Sequence, residues 1–164
     1  MASELKNLSD FSNNIIPSGL NKKFGIVVAE WNKEITGALL TGAVETLLEY
    51  DVVEENIVIN NVPGTFELTH GARMMSINHN PDAIIVLGCV IQGETRHFDF
   101  ICQGVSYGIT KLNVEYNTPV IFGVLTTDNQ QQAIDRSGGK HGNKGAEAAA
   151  TALSMAELSY KSVK

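Results

Sequence analysis

Four short apolar runs punctuate the chain. After each, apolar residues recur every three or four positions. The first run is Phe24 to Glu30. Beyond Trp31 and Asn32, a good N-cap type, the residues Ile35, Leu39, Ala43, Leu47 and Tyr50 form one helical stripe. The second run, Asn56 to Val62, carries Ile57, Val58, Ile59 and Val62. Pro63-Gly64 then turns the chain, and Thr65 can cap a helix bearing Phe66, Leu68, Ala72, Met75 and Ile77. The third, Ala83 to Leu87, follows the turn Asn80-Pro81-Asp82. It leads through a turn with Gly88, Gly93, Glu94 and Thr95 to the periodic set Phe98, Ile101, Cys102, Val105, Ile109 and Leu112. That helix runs to about Tyr116, where Thr118-Pro119 stops it. The fourth run, Val120 to Leu125, is followed by Thr126-Thr127 and a short helix ending near Arg136, with Asp128 and Gln131 as a capping pair. A last, alanine-rich helix from Lys144 to Ser159 sets Ala149, Leu153, Ala156 and Tyr160 on one face.

Short branched apolar runs read as buried strands, and 3.6-residue periodicity reads as amphipathic helix. Strand followed by helix four times, with an extra terminal helix, predicts an α/β three-layer sandwich. Its core is a four-stranded parallel sheet with helices on both faces and right-handed crossovers. The strand order expected is the flavodoxin-like 2-1-3-4. Residues 1–23 are polar, with a Pro17-Ser18-Gly19 turn, and read as an arm outside the core. Ile15 and Ile16 either make it a strand or anchor on a neighbouring surface, or belong to a loose tail. Residues 1–164 otherwise read as a single domain, without internal repeat or low-complexity linker.

The chemistry centres on Leu87 to Phe100. In an open parallel sheet, ligands bind beyond the carboxyl ends of the strands. The start of the following helix offers free N–H groups and a partial positive charge, which suits a phosphate. His97 stands there as a group able to exchange a proton near neutral pH. Three strand ends carry ligand-type residues: Trp31, Thr65 to Glu67, and Cys89 to His97. Trp31 reads as a core plug or as a flat surface for a planar ring. Glu67 reads as a complement to the helix dipole or as an acceptor for ligand hydroxyls. His70 and His79 lie away from any strand end and read as surface or packing residues. Ser137 to Gly145, with Arg136, Lys140 and Lys144, reads as an anion site or as a helix break with solvated lysines. It lacks the Walker A spacing.

Composition narrows the field. The 164 residues suit one core, and 43% hydrophobic with 18% charged residues suits a globular protein with room for subunit contacts. A net charge of −6 argues against nucleic acid as partner. The two cysteines, Cys89 and Cys102, read as reduced thiols. Met1 to Lys23 holds no apolar leader, so a cytoplasmic location is expected. The longest near-apolar run, Ala83 to Ile91, falls well short of the ~20 residues of a membrane helix. No nucleophile sits beside a partnered base. The four histidines lack metal spacing. A G-x-G-x-x-G dinucleotide motif is missing. A planar, hydroxylated substrate and a small phosphorylated one would use every group named.

Four segments carry a resemblance: Val62-Pro63-Gly64-Thr65-Phe66-Glu67, Leu87 to His97, Val120 to Thr127, and Arg136 to Gly145 with its Gly142-Asn143-Lys144-Gly145. In this order and spacing the chain resembles the 6,7-dimethyl-8-ribityllumazine synthase family over roughly residues 17–160. The resemblance implies a transferase of riboflavin biosynthesis. It would condense 5-amino-6-(D-ribitylamino)uracil with 3,4-dihydroxy-2-butanone 4-phosphate to the lumazine, phosphate and water, with no metal or organic cofactor.

By resemblance, Trp31 stacks on the pyrimidine, and Thr65, Phe66 and Glu67 hold the ribityl chain. Cys89, Val90 and Ile91 offer backbone contacts to the uracil. Glu94 and Thr95 bind the phosphate, and His97 donates a proton. Phe122, Arg136 and Lys144 come from a neighbouring subunit, with Phe122 and Lys144 on the ribitylaminouracil and Arg136 on the phosphate. The implied assembly is a homopentamer. Twelve pentamers can close into an icosahedral shell, and riboflavin synthase is a candidate partner. Gly138 to Gly145 shows no shell-blocking insertion. Gln92, Cys89 and Trp31 stand where many members carry arginine, threonine and phenylalanine. A rival reading is a non-catalytic lumazine- or flavin-binding shell protein, which could dispense with His97 and Arg136. Another is a different phosphate-binding aldol or transferase catalyst on the same fold.

Overall fold

Phe24–Ala29 (β1), Ile57–Val62 (β2), Ala83–Ile91 (β3) and Val120–Thr127 (β4) form one parallel sheet in the order β2-β1-β3-β4. The computed structural model describes residues 7–11 and 15–161, with side chains as far as Leu158. Five helices accompany the sheet in this region: Lys33–Glu49 (α1), Leu68–His79 (α2), His97–Glu115 (α3), Gln130–Ile134 (α4) and Lys144–Lys161 (α5). The expected sandwich and strand order are both present.

Side-chain alternation along the strands divides the interior into two cores. Phe24, Ile26, Val28, Ile85 and Leu87 face α1 and α5, where they meet Ile35, Leu39, Ala43 and Leu47 together with Ala149, Leu153 and Ala156. Val27, Ala29, Ile84 and Val86 face α2 and α3, where they meet Leu68, Ala72, Met75, Val105, Ile109 and Leu112. Burying each large aliphatic side chain contributes about 1.5–3 kcal/mol before the entropy cost. The stripes read from periodicity are therefore the ones buried. Phe66 and Ile77 are exceptions and stay exposed. Tyr160 has its side chain outside the described residues.

Several local expectations change. The third strand does not end at Leu87 but runs to Ile91, because β4 is long enough to pair with Gly88, Cys89, Val90 and Ile91 through Thr127. The last pair with β1 is Val28 with Leu87. Beyond that point the β1 side of β3 is an open edge. Thr65 opens a 3₁₀ turn, Thr65–Glu67, that runs into α2. Asn32 stands at the start of α1, but its side chain does not cap the helix. It lies in the left-handed region at φ 59° and donates instead to the Cys89 carbonyl at 3.0 Å. The capping pair of α4 sits one residue later than Asp128 and Gln131. Asn129 Oδ1 accepts from the Gln132 N–H at 3.0 Å, and Gln132 Oε1 accepts from the Asp128 N–H at 3.0 Å.

The basic glycine-rich loop is a small antiparallel hairpin, Ser137–Gly139 (β5) with Gly142–Asn143 (β6). Part of the arm docks on it. Leu8 is buried and its N–H donates to the His141 carbonyl at 2.8 Å, while Ser9 Oγ accepts from the Asn143 N–H at 2.9 Å. Ile16 packs on the α1–α5 core and Ile15 is fully exposed, so the two do not act together. Among the described residues no helix is long and apolar enough to cross a membrane.

Candidate active site

The open edge of β3 forms one wall of a cleft of about 790 Å³, a size ordinary for a small-molecule site. Residues that follow β1 and β2 form the rest of its floor. The Glu30 N–H donates to the Val62 carbonyl and the Trp31 N–H to the Pro63 carbonyl, so the two strand ends stay joined past the sheet. This sets Trp31 beside Gly64, Thr65, Phe66 and Glu67 along the cleft. Trp31 is 72% exposed, which removes the core-plug reading and leaves the indole available as a stacking surface.

Thr65 is buried against Gly88, where a Cβ would come within 2.8 Å of its hydroxyl oxygen. Thr65 lines the cleft, and among the described residues its buried hydroxyl has no hydrogen-bond partner. A buried polar group left unpaired costs free energy, so a partner for this hydroxyl would be stabilising. Glu67 is exposed one turn away. The Phe66 ring lies over Gly104 of α3, where a side chain would bring a Cβ to 2.9 Å from it. That glycine lets α3 close the far wall.

The β3 backbone faces the cleft selectively. In a parallel strand the N–H and C=O of alternate residues point to alternate neighbours. The Gln92 N–H donates to Thr127 on β4, while the Cys89 carbonyl accepts from Asn32 on the β1 side. Cys89 and Ile91 therefore present main-chain groups towards the cleft, and the Val90 main chain is committed to β4. The Cys89 thiol is pushed up to about 11 by burial. Cys102 is raised as well, first by burial and then by the Asp99 charge. Neither thiol is activated as a nucleophile near neutral pH. Gln92, Gly93, Glu94 and Thr95 follow as an exposed turn. The Gln92 amide folds back onto the Gly93 carbonyl at 2.8 Å, so it lies along the turn. Gly93, Thr95 and His97 line the cleft, and His97 is exposed at the start of α3.

Glu94, Phe122, Arg136 and Lys144 are not among the lining residues. Phe122 is half-buried against the α2–α3 core. The loop after β4 sorts its cations by local carboxylates. Lys140 pairs with Asp135 at 3.1 Å, and Lys144 lies 3.1 Å from Glu147. Arg136 Nη1 donates only to the Gln132 carbonyl at 3.0 Å. Among the described residues Arg136 thus has no carboxylate partner, and its charge is free for an anion. The Asp135 carboxyl is held below its usual range, first by the hydrogen bond from Gln131, against some burial, and then by Lys140 and His141. Its contribution to folding is present above the ordinary carboxylate pKa and lost as pH falls through the lowered one.

Sequence reasoning missed the contacts of Asn32 with Cys89 and of Asp135 with Gln131 and Lys140. Asparagine at a strand end was the available signal for the first, because it is one of the few residues that tolerate the left-handed region.

A parallel sheet in flavodoxin-like order with a cleft over its carboxyl edge defines the class: an α/β protein of the kind that binds small molecules beyond its strand ends. A family model described as 6,7-dimethyl-8-ribityllumazine synthase matches residues 21–160. The proteins named 6,7-dimethyl-8-ribityllumazine synthase in Cytophaga hutchinsonii, Porphyromonas gingivalis and Flavobacterium johnsoniae are 62%, 55% and 58% identical to this chain. The alignments cover 94%, 96% and 96% of it and 97%, 98% and 83% of those proteins. The chain belongs to the 6,7-dimethyl-8-ribityllumazine synthase family.

Proposed function

We propose that the cleft condenses 5-amino-6-(D-ribitylamino)uracil with 3,4-dihydroxy-2-butanone 4-phosphate, releasing the lumazine, one phosphate and two waters. The observation that carries this reading is the meeting of Trp31, the unpaired Thr65 hydroxyl, Glu67 and His97 in one strand-end cleft. Family membership supplies the reaction. Trp31 stacks on the pyrimidine. Cys89 and Ile91 meet its polar edge through the main chain, and Val90 packs beside it. Thr65, Phe66 and Glu67 hold the ribityl chain, with Glu67 accepting its hydroxyls. Glu94 and Thr95 cradle the phosphate with main-chain N–H groups.

The uracil's 5-amino group attacks the ketone, and the resulting carbinolamine loses water to form an imine. A proton is then lost from the hydroxyl-bearing carbon as phosphate leaves the carbon next to it. The enol so formed takes a proton on its terminal carbon to become a ketone, and the ribitylamino nitrogen closes the ring with loss of the second water. His97 moves protons at the nitrogen and oxygen centres in these steps. Holding the two substrates together supplies most of the remaining acceleration. The binding-protein alternative has no use for an exposed His97 and an Arg136 that has no carboxylate partner among the described residues, and both are present.

The family resemblance assigns Phe122, Arg136 and Lys144 to a neighbouring copy, and this agrees with their lying outside this chain's own cleft. The oligomer we infer is a pentamer, twelve of which form a shell, with riboflavin synthase as its candidate partner. Support for contact between copies comes from α3. Phe100, Tyr107 and Val114 recur every seventh residue and are 65%, 72% and 82% exposed. Support for the shell comes from the tight β5–β6 hairpin, which leaves no insertion between α4 and α5. The reading also places the enzyme in the reducing cytoplasm, which suits two free thiols.

Turnover tests the reaction. The purified protein is expected to form lumazine and inorganic phosphate in equal amounts, well above the uncatalysed rate. Background-rate formation with tight lumazine binding would favour the binding-protein reading. The sole tryptophan gives an independent readout. Lumazine is expected to quench Trp31 fluorescence. Trp31→Phe is expected to keep activity, and Trp31→Ala to raise KM for the pyrimidine roughly tenfold, from a stacking contribution of about 1–2 kcal/mol. Unquenched fluorescence on saturation would remove Trp31 from the site.

A further inference from the structure

Asp135 ends α4 immediately before Arg136, and three contacts tie it to what surrounds it. Its Oδ1 accepts from Gln131 Nε2 at 2.9 Å, and its Oδ2 lies 3.1 Å from Lys140 Nζ on the hairpin. Its carbonyl accepts from the His141 N–H at 2.8 Å. The hairpin closes tightly on this residue, because a Cβ at Gly139 would come 2.8 Å from the Asp135 Cα and from the Ile134 carbonyl. One step further on, the Arg136 carbonyl accepts from the Lys144 N–H at 2.8 Å. Arg136 therefore leaves the chain between two anchored points, the end of α4 and the start of α5. Lys140 is two-thirds exposed at its side chain while the Asp135 side chain is nearly buried. The carboxylate is the fixed partner and the lysine comes to it.

We propose that Asp135 is a positioning residue for the phosphate-binding guanidinium. By clamping the β5–β6 hairpin to α4, it fixes the path of the chain from which Arg136 projects. The proposal rests on the reading of Arg136 as the phosphate ligand. A fork-shaped guanidinium needs its two N–H groups aligned with two phosphate oxygens. Release of the hairpin costs that alignment even though no contact to the substrate is removed. The loss falls mainly on the phosphate-bearing substrate, because most of the pyrimidine wall is built from β1, β2 and β3, and Lys144 is held separately at the start of α5.

The test is a double-mutant cycle in the assembled enzyme, with both substrates varied and inorganic phosphate as inhibitor. Asp135→Ala is expected to raise KM for the butanone phosphate and Ki for phosphate roughly tenfold, since a shift of about 1 Å can cost up to about 100-fold. The pyrimidine KM and Trp31 quenching by the phosphate-free lumazine are expected to stay within about twofold. In an Arg136→Ala background, Asp135→Ala is expected to add less than about twofold, because it acts through that side chain. Lys140→Met, at an exposed position, is expected to show the same pattern more weakly and covers the case in which Asp135→Ala does not fold. Equal effects on both substrates, or full additivity with Arg136→Ala, would reduce Asp135 to a general structural role. Phosphate constants that Arg136→Ala itself leaves unmoved would instead remove the phosphate reading, and this proposal with it.

Discussion

Arg136→Ala is expected to lower kcat/KM by on the order of 1,000-fold, with most of the change in KM for the butanone phosphate. Two charge-assisted hydrogen bonds from one guanidinium contribute about 1.5–3 kcal/mol each, and each ~1.4 kcal/mol is tenfold. The wild-type guanidinium is already partly desolvated and has no carboxylate partner among the described residues, so a phosphate meets no competitor. Part of the loss should appear in kcat, because phosphate also leaves in the reaction and the same charge stabilises its departure. Arg136→Lys should recover only a fraction, since an ammonium keeps the charge but not the fork. Steady-state kinetics with each substrate varied would check this. A loss below about tenfold would be too small for a charge-assisted contact and would place the phosphate elsewhere.

His97→Ala is expected to cost less, on the order of 100-fold in kcat, at the low end of what general acid–base groups contribute. The imidazole stands exposed at the mouth of the cleft, with water at hand as a substitute proton carrier. Proton transfer also occurs at several steps, and no single one depends wholly on one donor. KM for either substrate should change little. Single-turnover rates of the two variants under one set of conditions would settle their order. A His97→Ala loss larger than that of Arg136→Ala would mean that proton transfer contributes more to the rate than substrate positioning does.

The layers were legible because buried strands and amphipathic helices leave different periods in a sequence. Leu39, Ala43 and Leu47 had to share a face, and in the structure they do. The end of β3 was not legible. Gly88 looked like a turn residue, whereas it is a strand residue that makes room for Thr65. Only the length of β4 decides that Gly88 to Ile91 stay in the ladder, and that length is a tertiary fact. Asn32 misled for a similar reason. Its residue type suits a cap, but its left-handed backbone turns the amide to Cys89, and that contact spans 57 positions. Asp135 was invisible because carboxylates in loops are common, and only the hairpin shows what this one holds. Trp31, Thr65, Glu67 and His97 were legible because each follows a strand, and a parallel sheet delivers strand ends to one edge.

The proposed site is made from two copies: a cleft with His97 from one chain and Arg136 from its neighbour. Mixed oligomers of His97→Ala and Arg136→Ala chains test that most directly. At subsaturating butanone phosphate, neither parent should turn over at more than about one hundredth of the wild-type rate, His97→Ala through lost acid–base catalysis and Arg136→Ala through lost charge-assisted hydrogen bonds. Random assembly of equal amounts places an intact His97 cleft beside an intact Arg136 in about one quarter of sites, because each interface of a closed ring draws its two faces independently. Lumazine formation is predicted to recover to about that fraction of the wild-type rate. Activity that stays at the mean of the two parents, in oligomers shown to contain both chains, would mean that each chain completes its own site.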